Sequence, residues 1–78
     1  MEIKLNDFIV ADSNVCEGKP VFKGTRIMVW QVLELLGAGI NIHEILKDYF
    51  PQLTKEAILS VLNYASKVME EEKYVSLN

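Results

Sequence analysis

From Val29 to Met69 apolar residues recur at helical spacing, and the recurrence is broken in two places. Val29, Val32, Leu33 and Leu36 follow i, i+3, i+4, i+7, the stripe of an amphipathic helix. Gly37 and Gly39 close it, with Gly39 placed as the left-handed residue that commonly ends a helix. Asn41 then reads as an N-cap, with Glu44 three residues on. Ile42, Ile45, Leu46 and Tyr49 carry the second stripe. Pro51 stops it, because the residue before a proline avoids the helical region. Thr54 caps a third segment, whose apolar face is Ile58, Val61, Leu62, Ala65, Val68 and Met69. The spacing predicts helices over 28–38, 42–49 and 54–70.

Upstream of Ile27 the period is different. Phe8 to Ala11 is a short β-prone run. "DSNVCEGK" follows, rich in turn formers, and Pro20-Val21-Phe22 is a second β-prone step. These predict a loose β-hairpin over about 7–27, or two edge strands. The expected fold class is mainly α: an N-terminal β-hairpin followed by a three-helix bundle of helix-turn-helix order over about 28–70. Residues 71–78 form a charged tail, and 1–78 make a single domain.

A chain of 78 residues buries only about 60% of the surface its unfolded form exposes. Self-association is a common remedy, so a homodimer is expected. Half of the residues are apolar, too many for a disordered chain. No apolar run approaches the roughly 20 residues of a membrane span, and "MEIKLNDF" is neither basic nor apolar enough for a signal peptide. The single cysteine, Cys16, rules out an intramolecular disulfide framework and fits a reducing cytoplasm. One histidine and one cysteine cannot build a zinc cluster within one chain, so no metal or cofactor is expected.

Charge is uneven along the chain. Residues 1–33 hold four acids and four bases, whereas 34–78 hold seven acids and four bases, a net −3. The segment 19–26 carries Lys19, Lys23 and Arg26 and no acid. An acidic chain with a small basic patch suits a basic partner protein better than strong, general nucleic-acid binding.

"EGKPVFKGTR" (Glu17 to Arg26) is the densest turn-and-charge stretch. It is not a Walker-type loop: Lys19 follows the first glycine, and Pro20 removes an N–H from the middle of any phosphate nest. Two readings stand for Gly24-Thr25-Arg26. In one it is a structural turn. In the other Lys19, Lys23 and Arg26 touch phosphates, contacts that position without specifying sequence. On the exposed side of the third helix, Ser60 and Asn63 could read base edges, and Lys55 and Lys67 could meet phosphates, although Glu56 and Glu70 oppose them. Trp30 either widens the core or presents an aromatic ring to a partner. Glu70, Glu71, Glu72 and Tyr74, at the carboxyl end, are candidate partner contacts. His43 reads as a solvated helix residue, and Cys16 has no catalytic constellation around it. No residue is a candidate for catalysis.

The segment "GKPVFKGTRIMVWQVLELLGAGINIHEILKDYFPQLTKEAI" resembles the small prokaryotic family catalogued as domain of unknown function 433. The resemblance rests on Gly18, Lys19, Pro20, Gly24, Thr25, Arg26 and Ile27. It continues through Gly39, Glu44, Ile45, Leu46, Tyr49 and Pro51, then Leu53, Thr54, Ile58, Tyr64 and Ala65. It covers roughly residues 8–66. Met28 stands where the family usually has proline, and Phe50 is inserted before Pro51. The resemblance implies a homeodomain-like three-helix domain after a hairpin. It further implies an antitoxin of VapB type, encoded beside a PIN-like ribonuclease toxin that it inhibits, and binding operator DNA as a complex with it. It supplies no catalytic residues. The competing expectation is a dimerising interaction module with no nucleic-acid role. A small enzyme is disfavoured, since no nucleophile–base or paired-carboxylate set is evident.

Overall fold

The structure, a computed structural model, describes residues 1–71. Three strands, β1 (Glu2–Lys4), β2 (Ile9–Asp12) and β3 (Val21–Phe22), form an antiparallel sheet in that order. Helices α1 (Val29–Gly37), α2 (Ile42–Glu44) and α3 (Lys55–Glu71) follow, and α2 runs on into a wide turn over Ile45–Tyr49.

This corrects the expectation of a mainly α chain, with a two-stranded hairpin ahead of a homeodomain-like helix-turn-helix bundle. The sheet has three strands, and β1 lies upstream of the expected hairpin. Glu2-Ile3-Lys4-Leu5 alternates polar and apolar residues, the period of a strand. The turn into β2 is set by Asn6. Its Oδ1 accepts the N–H of Phe8 at 2.7 Å and of Ile9 at 2.8 Å, an Asx-type turn. The sheet is also no appendage. Ile9 and Phe22 are buried in one cluster with Val32, Ile45, Ile58 and Val61, so strands and helices share a single α+β core. The second helix is equally irregular: after one α turn, the N–H of Phe50 reaches the carbonyl of Ile45 at 2.8 Å, a ring one residue wider than α.

The helix ends follow the expected chemistry. Ala38 ends α1, Gly39 takes φ +91°, and the N–H of Ile40 bonds the carbonyl of Leu35 at 3.0 Å, a Schellman motif. Asn41 Oδ1 accepts the N–H of Glu44 at 2.8 Å, and Thr54 Oγ1 accepts that of Ala57 at 3.1 Å.

Between β2 and β3 the chain makes a left-handed turn: Cys16, Glu17 and Gly18 take φ of +49°, +58° and +82°. The N–H groups of Gly18 and Lys19 close it on the carbonyls of Val15 and Cys16. Only glycine adopts this region freely. The two other residues cost about 1–2 kcal/mol each, an expense the surrounding structure must offset.

A candidate docking groove between the first and third helices

The seventeen residues of α3 span about 25 Å, while the nine of α1 span about 14 Å. The far half of α3 therefore extends beyond the cover that α1 and the sheet provide. Its apolar stripe continues all the same, through Tyr64, Ala65, Val68 and Met69. The result is an open groove of about 570 Å³ between the two helices. Val29 and Val61 are buried in it, Trp30 and Leu33 stand on the α1 side, Val68 and Met69 on the α3 side, and among the described residues Lys19 is the only charged one in its lining. Trp30 is 45% exposed, Leu33 39% and Met69 65%. The structure thus places Trp30 at the surface and not in the core. Leu33 and Met69, both assigned by period to a buried stripe, are surface groups too. Only the relative lengths of the two helices carried that signal.

The Gly24-Thr25-Arg26 segment is built as a turn. Gly24 has φ +79°, and the N–H of Thr25 bonds the carbonyl of Phe22 at 3.0 Å. Thr25 Oγ1 donates to the same carbonyl at 2.9 Å and accepts the N–H of Ile27 at 2.9 Å. The Cys16 thiol lies 3.7 Å from the Arg26 carbonyl, tying the left-handed turn to this one. Arg26 itself is exposed, with no ion pair among the described residues.

The other candidate contacts are dispersed. Lys19 sits at the groove, and Lys23 borders a hollow with Asp7, Gln52 and Thr54. Lys55 borders another, beside Asn41 and His43. Asn63 and Lys67 are exposed on α3 and share a hollow with Ser60 and the β1–β2 turn. Ser60 is engaged within the chain: its hydroxyl donates to the Ala57 carbonyl at 2.7 Å, and its own carbonyl accepts from Asn6 Nδ2 at 3.3 Å. Glu70 and Glu71 are exposed in the last turn of α3. Glu72 and Tyr74 lie outside the described residues. Among the described residues no three His, Cys, Asp or Glu are grouped to hold a metal ion. No helix among them is long and apolar enough to cross a membrane.

Sheet, helices and groove together define a small α+β domain with an open apolar cleft. The chain belongs to the family described as protein of unknown function (DUF433), whose sequence profile matches residues 9–65. That span takes in all three turns at left-handed glycines, Gly18, Gly24 and Gly39, and the whole buried core. It leaves out β1 and the last turns of α3, with Val68 and Met69. No curated protein and no solved structure matches the chain.

Proposed function

We propose that this chain is a non-enzymatic regulator of antitoxin type, which holds a PIN-like ribonuclease and, with it, operator DNA. The observation that carries the reading is the groove. Small monomeric domains rarely leave a contiguous apolar cleft open to water unless something fills it. Trp30, Leu33 and Met69 offer an aromatic and aliphatic anchor set of the kind that dominates protein interfaces. The occupant is an apolar helix of the ribonuclease, laid between α1 and α3. Its flanking basic residues would meet Glu34 and Glu70, which adjoin the groove residues Leu33 and Met69 in sequence, and Glu71 beyond them.

The DNA contribution of the chain alone is small in this reading. Its bases are spread over several faces and its net charge is −3, so few phosphates can be neutralised at once. A dimer would double the contacts, and a bound basic ribonuclease would reverse the field. The deciding experiment is calorimetry of the purified chain against the PIN-like protein encoded beside it, followed by RNA cleavage and DNA titration with and without the complex. Absence of such a neighbour, or no binding at tens of micromolar, would overturn the proposal; the expected result is inhibition at one-to-one stoichiometry and DNA affinity that rises in the complex.

A further inference from the structure

We propose that β1 pairs with β1 of a second copy, antiparallel and centred on Ile3, joining two three-stranded sheets into one of six strands. The inference is independent of the groove, whose lining contains no residue of β1.

β1 is the open edge of the sheet. Among the described residues it pairs with β2 alone, and Glu2, Ile3 and Lys4 are all exposed, Ile3 by 56%. The opposite edge is closed: β3 is two residues long, follows Pro20, and is bridged at Val21 to Met28. The backbone of β1 is directed for pairing. The N–H of Leu5 bonds the carbonyl of Ile9 at 2.9 Å, so odd-numbered residues turn their polar groups towards β2. By alternation, Glu2 and Lys4 turn theirs outward. The same parity appears across the sheet, where the N–H of Lys23 bonds the carbonyl of Phe8 at 2.8 Å.

The side chains then select one register. Centred on Ile3, Glu2 stands opposite Lys4 of the second copy, and Lys4 opposite its Glu2. Both are hydrogen-bonded pairs with opposite charges. Ile3 faces its own copy in a close non-hydrogen-bonded pair, and Met1 faces Leu5. Read backwards, Met-Glu-Ile-Lys-Leu is complementary to itself at every position. A slip of one residue sets Ile3 against a charge and mismatches the backbone. A slip of two sets Glu2 against Glu2, or Lys4 against Lys4. The charges that would discourage a foreign strand at this edge therefore admit a second copy.

The pairing is short. It falls well below the roughly 800 Å² per partner of a standard interface, so the dimer forms at high micromolar concentration. Sedimentation velocity over a concentration series tests it on the whole chain, with Lys4→Glu and the double charge swap Glu2→Lys/Lys4→Glu. Lys4→Glu makes both charged pairs repulsive and should raise the dissociation constant about tenfold. The double swap restores both attractions and should return it to within about threefold of the parent. Helical circular dichroism checks that each variant folds; the exposed Lys4–Asp7 pair that Lys4→Glu removes contributes little. A monomer at every concentration, a dimer indifferent to Lys4→Glu, or a double swap that fails to restore it would each overturn the proposal.

Discussion

The indole N–H of Trp30 donates to the thioether sulfur of Met28, 3.2 Å away across the first turn of α1. Indole has only that one donor. With it engaged, what the ring offers a partner is its apolar body. Met28 is anchored in turn, because Gln31 Oε1 accepts its N–H at 3.0 Å. Met28, at the N-cap of α1, thus also orients the aromatic at the groove.

Trp30→Ala should separate binding from folding. Trp30 is half-exposed, so thermal stability should fall by no more than about 1 kcal/mol. Affinity for the proposed ribonuclease partner should fall by about 2 kcal/mol, roughly thirtyfold, as for a central aromatic anchor. Calorimetry beside a thermal melt reads both. A large loss of stability with unchanged affinity would place Trp30 in the core instead.

Asn6 joins the β1–β2 turn to α3. Asn6→Ala leaves the N–H groups of Phe8 and Ile9 without their acceptor and the Ser60 carbonyl without its added donor. Denaturant unfolding should show a loss of about 2 kcal/mol. Asn6→Asp retains both acceptor bonds and should lose less than half of that.

The turn at Thr25 and the charge at Arg26 can be tested apart. Thr25→Val removes a donor and an acceptor that hold the chain between Phe22 and Ile27, and should destabilise by about 1–2 kcal/mol. Arg26→Ala should leave stability within about 0.5 kcal/mol, since the side chain is exposed. If Arg26 meets phosphate in the complex, its removal should weaken DNA binding and lower the salt dependence by about one counterion. A melt and a salt series on both variants make the comparison.

Glu17→Gly should stabilise the chain. At φ +58° glutamate is strained where glycine is not, and the relief exceeds the added entropy of the unfolded glycine. The gain should be about 0.5–1 kcal/mol, read as a higher melting temperature. A loss would mean that the Glu17 side chain contributes contacts that outweigh its backbone strain.

The helices were legible because their ends are written locally. Asn41, Thr54 and Gly39 each announce a boundary through a hydrogen bond or a backbone angle within a few residues. β1 was harder to see. Its alternation is only four residues long, and its partner, β2, is known only once the Asn6 turn is formed. The groove is a still less local property. Period says that Leu33 and Met69 share faces with buried residues; whether those faces are covered depends on how far one helix outruns its neighbours. Ser60 shows the converse, a polar residue on an apparently free face that the β1–β2 turn reaches over and engages.

The wide ring from Ile45 to Phe50 has a consequence for variation in chain length. It lies between two fixed anchors, the Asn41 cap and the Pro51 stop. A chain lacking Phe50 could close this segment as an ordinary helix, and a chain with it widens one ring. In this chain, with the wide ring formed, Ile45 and Leu53 are both buried in the core; the shorter chain should keep them there. The segment is thus expected to act as a slack joint, where a single codon gained or lost is absorbed before it reaches α3.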